Sequence, residues 1–197
     1  MKRLIQSFRI YVIFTVLLGL VYPLAVTFIA QILFPYQANG SLLKKGNTVI
    51  GSRLIAQGFT GLKYFRPRPA ANNYDGTSSG ATNLGPSSKK LIGATAEKIA
   101  KIRQENGLRA DTKIPADMAL TSASGLDPHI SIENALLQSA RVARARGISV
   151  SEINKLIEKN TDSDFIGIWG CQGVNVLALN IELDEPADSI KKGAIEK

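Results

Sequence analysis

Twenty-five consecutive uncharged residues, Ile10 to Phe34, constrain this chain more than any other feature, and 16 of them are Leu, Ile, Val or Phe. At about 1.5 Å of rise per residue the run makes a helix roughly 37 Å long, against a hydrocarbon layer of about 30 Å. Each central Leu, Ile, Val or Phe contributes about −0.3 to −0.6 kcal/mol to insertion, whereas a central Lys costs about +3 kcal/mol. With no such cation, residues 10–34 read as one transmembrane helix behind a short N-terminus, residues 1–9. The competing reading is a cleaved signal peptide, because Lys2, Arg3 and Arg9 precede the apolar residues. A signal peptide has an apolar stretch of roughly 7–15 residues that ends in small residues. This one exits through Phe34-Pro35-Tyr36-Gln37-Ala38.

The same flank orients the span. Three cations precede it and Pro35 to Leu43 carry none, so residues 1–9 are expected in the cytoplasm and the main domain outside, with Lys44 and Lys45 weakening the bias. Residues 35–197 suffice for one domain with its own core. The single cysteine, Cys171, excludes an intrachain disulfide and a Cys-rich metal site, and its apolar, Gly-rich surroundings predict a small buried hydrophobe. The formal charge of +8 is uneven, because the first acidic residue is Asp75. Lys44, Lys45, Arg53, Lys63, Arg66 and Arg68 come before it. Beside a bilayer such a block suits anionic headgroups or an acidic partner surface. Nucleic acid is not an expected partner of an outward domain.

The patterning of the soluble part predicts an α+β domain of mixed helices and strands. Thr48-Val49-Ile50 and Leu54-Ile55-Ala56 read as an extended pair turning at Gly51-Ser52, and Tyr64 to Pro86 as a long loop. Ser87 or Ser88 caps a helix to about Asn106, stopped by Gly107; an irregular connection, Leu108 to Pro128, follows. Ser131 caps a second helix ending at Gly147, and Ser151 with Glu152 opens a third through about Lys159. Phe165 to Trp169 and Val174 to Leu183 read as strands, the latter because Leu177, Leu179, Ile181 and Leu183 alternate with Ala178, Asn180 and Glu182. The last dozen residues are polar and are expected to be loose.

Three constellations could carry function. The first, Gly80 to Ser87, nearly has P-loop spacing, but Pro86 stands where a phosphate-binding Lys is required and removes a backbone donor. It is not a Walker motif; Ser79, Gly80, Thr82 and Asn83 remain candidates for nucleotide contact ahead of a helix N-terminus, with an ordered structural turn as the alternative. In the second, His129 lies between Asp127 and Ser131, with Ser124 nearby. A hydrolase would need a serine, His129 and Asp127 to meet, which neighbours in a pre-helix turn rarely do. The structural alternative has Ser131 capping and His129 bonding locally. No metal site is expected, since the only histidine has no cysteine nearby. In the third, Thr15, Gly19, Pro23, Thr27 and Gln31 recur at four-residue intervals in the span, tracing a slowly winding stripe of small and polar residues. Such a stripe suits close approach of another helix, although these residue types are also common in membrane helices generally. Pro23 frees the Gly19 carbonyl and favours a kink.

These residues together resemble the KdpC subunits of bacterial high-affinity potassium-transporting P-type ATPases. The resemblance runs from Tyr22-Pro23-Leu24 through Gly51-Ser52, Leu54-Ile55-Ala56-Gln57, Phe59, Tyr64-Phe65 and Arg68-Pro69 to Ser79-Gly80 and Asn83-Leu84-Gly85-Pro86. It continues through Ser124 to Ser131, Gln138, Arg141-Val142-Ala143 and Ala145-Arg146-Gly147 to Val174-Asn175-Val176-Leu177 and Leu179-Asn180. Departures are Ala56 for a usual Gly, Ala70-Ala71 for Ser-Ala, Ala81-Thr82 for Gly-Ser, and the stretch Trp169 to Gly173. The resemblance implies a non-catalytic accessory subunit in the bacterial inner membrane, without a cofactor of its own. Its implied partners are a channel-like potassium-binding subunit and a P-type ATP-hydrolysing subunit. It also implies a catalytic chaperone raising ATP affinity, with Ser78 to Pro86 touching nucleotide. A domain outside the membrane meets no ATP, so the residues favour a second role, covering the outer ion entrance. A membrane-tethered hydrolase and a self-associating single-pass protein are the alternatives from other classes.

Overall fold

The computed structural model describes residues 1–163 and 170–185, which leaves the strand expected at Phe165–Trp169 and the polar last dozen residues outside the described part. It divides into two units, Met1–Ser52 and Arg53–Lys197. The first is a continuous helical rod, Lys2–Leu33, none of it buried, followed by a small hairpin. The rod consists of α1 (Lys2–Val16), a π-helical turn (Leu17–Val21) and α2 (Tyr22–Leu33), with a one-turn α3 (Pro35–Ala38) beyond Phe34. Helix therefore extends past the apolar run to include Arg9, Arg3 and Lys2, because those long side chains reach water from a helical backbone. The π turn answers Pro23: that residue has no N–H to give, and Tyr22 N–H reaches back to Leu17 O. Thr27 Oγ donates to Pro23 O at 2.8 Å, and Gln31 Oε1 accepts from Asn39 at 3.2 Å.

The hairpin corrects one expectation. β2 (Thr48–Ser52) pairs antiparallel with β1 (Leu42–Lys45) upstream, not with Leu54–Ala56. The two-residue turn is Gly46-Asn47, with Gly46 at φ 60°, a conformation that glycine adopts without steric cost. Gly51-Ser52 lies inside the strand, and Ala56 N–H bonds instead to Leu126 O at 2.9 Å.

In the second unit the helices follow their caps. α4 (Lys89–Asn106) starts at Ser88 and stops at left-handed Gly107; α6 (Ile132–Arg146) starts at Ser131 and stops at left-handed Gly147. The connection between them is irregular apart from one-turn α5 (Ala116–Ala119) and β3 (His129–Ile130). α7 (Val150–Lys159) is capped by Ser149, not Ser151: Ser149 and Glu152 form a capping box, and its serine–x–x–glutamate spacing was the signal to read. β4 (Thr161–Asp162) and β3 flank the central β5 (Gly173–Asn175) in an antiparallel sheet.

The expected strand Val174–Leu183 is a strand for its first two residues only; α8 (Val176–Leu183) follows. Asn175 caps it by accepting from Ala178 N–H at 3.0 Å. Val176, Leu177, Leu179, Asn180 and Leu183 are buried, which is a helical face. Asn175, Asn180 and Glu182 are the only polar residues of Val174–Leu183, too few to fix a period of two against a helical one, and Leu and Ala favour helix.

The main core joins Ile130, Val142, Ile153, Ile157, Val174 and Leu179 with Phe65, whose side chain is completely buried. Phe65 comes from a segment without ladder partners among the described residues, and side chains take the ladder's place. Phe65 N–H donates to Asn180 Oδ1 at 2.8 Å while Asn180 Nδ2 donates to Phe65 O at 2.9 Å. Gln138 makes the same reciprocal pair with the Arg66 backbone at 2.8 and 3.1 Å. Arg141 donates to Tyr64 O at 3.0 Å and to Leu62 O, and Arg146 to Lys63 O at 2.7 Å. A buried backbone group without a partner costs about 1–3 kcal/mol, so this clamp is what permits the segment to lie inside.

Two predictions follow from these contacts. Replacing Asn180→Ala orphans both Phe65 backbone groups and should cost about 3 kcal/mol in a urea unfolding titration of the detergent-solubilised protein. In the same assay Ser149→Ala should cost about 1 kcal/mol and Ser151→Ala close to nothing.

Candidate functional site

Two clefts and one loop of the Arg53–Lys197 unit hold the polar residues singled out in the sequence and their neighbours. The first cleft, about 280 Å³, lies between the clamped segment and α4, and Phe59, Arg66, Tyr74, Lys98, Glu105 and Met118 are among its lining. Arg66 is ion-paired with Glu105. Asn73 and Tyr74 both take left-handed backbone, at φ 53° and 61°, and Tyr74 OH donates to Arg68 O at 3.0 Å. The Tyr74 ring leaves no room at Gly58, where a Cβ would lie 2.8 Å from its Cδ2. Burial raises the Tyr74 phenol above its ordinary value, against the opposing charge of Arg66. Arg141, behind this wall, is pushed down to about 10 by burial and by Arg66 despite Glu105, and so stays cationic at neutral pH.

The second cleft, about 560 Å³, is built around His129. Asp127 precedes Pro128 and accepts from His129 N–H at 3.0 Å, a local turn that sets the start of β3. The imidazole Nε2 meets Asp162 Oδ2 at 2.9 Å, and Nδ1 lies 3.9 Å from Asp127 Oδ1. Each carboxylate also holds an arginine: Asp162 pairs with Arg53, and Asp127 with Arg68 at 2.9 Å. Burial disfavours the Asp162 carboxylate, but hydrogen bonds from His129 and Arg53, with the charge of Arg53, outweigh it and hold its carboxyl below the ordinary value.

Among the described residues no hydrolytic triad forms at this cleft. Ser131 Oγ donates to Asp117 at 3.0 Å while accepting from Asn134 N–H at 3.1 Å, and Ser124 Oγ sits 3.1 Å from Ser122 Oγ. Neither serine bonds to His129 among the described residues. Cys171 lines the same cleft and is exposed, contrary to the buried hydrophobe expected; it stands on the approach to β5, whereas burial begins at Val174. The basic block is also less bare than chain order implies, because Arg53, Arg66 and Arg68 find carboxylates far along the sequence.

The loop expected to touch nucleotide is tied to the 122–126 turn. Ser79 Oγ donates to Ser124 O at 3.1 Å and Gly80 N–H to the same oxygen at 3.0 Å. Gly125, at φ 71°, faces Asn72 Oδ1 and Gly80 O so closely that no side chain fits there. Thr82 and Asn83 are exposed, with Asn83 at φ 52°. None of the four lines either cleft. In the span, Thr15, Gly19, Pro23, Thr27 and Gln31 are all exposed on the rod, with Thr27 bonded back to Pro23 and Gln31 to Asn39.

The family model of KdpC, described as K+-transporting ATPase, c chain, matches residues 4–185. The chain belongs to the KdpC family. It is 49% identical over 185 residues to the potassium-transporting ATPase KdpC subunit of Mycobacterium tuberculosis, covering 93% of this chain and 98% of that protein. It is 47% identical over 186 residues to that of Koribacter versatilis, covering 93% and 94%, and 46% identical over 187 residues to that of Rhodospirillum rubrum, covering 94% and 96%. The resemblance read from the residues thus stands. As a KdpC subunit with a helix apolar and long enough to span, the chain is a membrane component of potassium transport.

Several residues that build these sites gave no sign in the sequence. Asp117 receives Ser131 N–H, Ser131 Oγ and Asn134 Nδ2, and Asp162 joins His129 to Arg53, yet both stand in stretches without pattern. Only distance in sequence hid them.

The depressed Asp162 carboxyl predicts a pH dependence. Its contribution to stability is present in full above the unfolded-chain carboxylate value of about 3.9 and is lost as pH falls through the lower folded value. Thermal melts from pH 6 to pH 2.5 should therefore show Asp162→Asn less stable than wild type at pH 6, with the two curves converging at the acid end.

Proposed function

We propose that this KdpC chain is the accessory, non-catalytic subunit of an ATP-driven potassium uptake complex. Its partners are a channel-like potassium-binding subunit and a P-type ATP-hydrolysing subunit. One span anchors it, and the Arg53–Lys197 unit stands on the outer face, over the ion entrance of the channel-like subunit. The observation that carries this reading is the rod itself: Lys2, Arg3 and Arg9 at one end, no further charge until Lys44, and none of it buried within the chain. Cations flanking a span stay on the cytoplasmic side. Small residues on its surface, Thr15, Gly19, Pro23 and Thr27, let a second helix approach closely, which assembly requires. Lys44 and Lys45 on β1 then meet lipid headgroups at the outer interface.

A catalytic-chaperone role, with Ser79, Gly80, Thr82 and Asn83 contacting ATP, needs the opposite sidedness, because ATP is cytoplasmic. The engagement of Ser79 and Gly80 with Ser124 O favours their serving as a structural turn. External trypsin applied to right-side-out vesicles should cut at Lys44 or Lys45, whereas inverted vesicles should protect these sites. Protection outside with cleavage in inverted vesicles would overturn the outer-face reading and favour nucleotide contact.

A further inference from the structure

The cleft between the clamped segment and α4 carries a charge imbalance that the described residues do not relieve. Apolar surface from Phe59, Pro67 and Met118 lines it together with three cations, Arg66, Lys98 and Lys101, and one carboxylate, Glu105. Glu105 is already paired with Arg66 and lies 3.9 Å from Lys101 Nζ. Lys98 is partly buried and has no ion-pair or hydrogen-bond partner among the described residues. Arg66 Nε is buried and unpaired. Burial, with Lys101 adding like charge, pushes the Lys98 ammonium below its ordinary value. A cation held partly out of water without a counter-charge is unfavourable until an anion reaches it.

We propose that this cleft receives an acidic side chain, Asp or Glu, carried on an apolar segment of a partner subunit, with Lys98 and Lys101 as its cationic contacts. The proposal rests on the reading of the chain as a subunit of a larger complex. Charge complementarity selects the carboxylate. The apolar lining selects what carries it: a free anion gains nothing from Phe59, Pro67 and Met118, and a lipid headgroup presents its phosphate on a hydrated body. Protein interfaces combine an apolar centre with a few charge pairs at the edge, and reversal of one such charge places like charges together.

The test uses the intact complex purified in mild detergent. Zero-length carbodiimide cross-linking followed by peptide mass spectrometry should join Lys98 or Lys101 to an Asp or Glu of a partner subunit. Lys98→Glu combined with Lys101→Glu should lower co-purification of the larger subunits on the order of tenfold. Lys98→Arg with Lys101→Arg should recover co-purification while abolishing the cross-link, because a guanidinium does not form the amide. Cross-links from these lysines only to this chain's own Glu97 or Glu105, or unaltered co-purification of the reversed variant, would sink the proposal. So would a reversed variant that keeps its subunits but loses binding to vesicles of anionic phosphatidylglycerol, which would assign the cleft to headgroups. Failure of the wild-type chain itself to co-purify with larger subunits would instead remove the reading beneath it. A thermal melt of the reversed variant matching wild type separates lost docking from lost folding.

Discussion

The soluble unit depends on two side-chain amides that act as pieces of β-ladder. Asn180 on α8 and Gln138 on α6 each offer a donor and an acceptor to one residue of an extended segment, Phe65 and Arg66, and so carry a buried chain crossing without a neighbouring strand. Phe65 can then enter the core completely, worth about 1.5–3 kcal/mol for such a side chain. The amides are themselves positioned: Asn134 Oδ1 accepts from Gln138, and Asn134 Nδ2 is held by Asp117, which also takes both donors of Ser131. A helix cap, a buried amide network and an extended segment thus form one connected set. In a low-dielectric interior such a set is stable only when each member is satisfied.

A second organisation comes from charge. No carboxylate precedes Asp75 in the chain, yet the fold brings Arg53 to Asp162, Arg66 to Glu105 and Arg68 to Asp127. These pairs are partly exposed and each contributes little to stability. Their effect is positional: two of them bracket His129, and the third fixes the wall of the cleft where Lys98 has no partner among the described residues. What read as an undivided basic block is therefore separated by the fold into three arginines with carboxylate partners, Arg53, Arg66 and Arg68, and three exposed lysines, Lys44, Lys45 and Lys63.

Legibility in the sequence followed the range of the interaction. Ser131, Gly107 and Gly147 were readable as helix ends, and the start of α4 as Ser87 or Ser88, because a cap is decided within about four residues. Ser149 was equally readable through its spacing to Glu152, and Ser151 was the wrong serine. The strand expected over Val174–Leu183 failed where the residues are apolar on both faces, since periodicity then says nothing and Asn175 as a cap becomes the deciding feature. The His129 site was half legible: its local bond to Asp127 follows from the turn, whereas Asp162 arrives from 33 residues away.

The sequence by itself determined the span, its cationic flank, the helix ends of α4 and α6 and membership of the KdpC family, because these rest on local hydrophobicity, local capping or residue identity in order. Tertiary structure alone decided that Phe65 is central to the core and which cations meet a carboxylate. Each of those outcomes depends on groups distant in the chain whose buried polar atoms must find partners. Only the folded arrangement determines which partners they find.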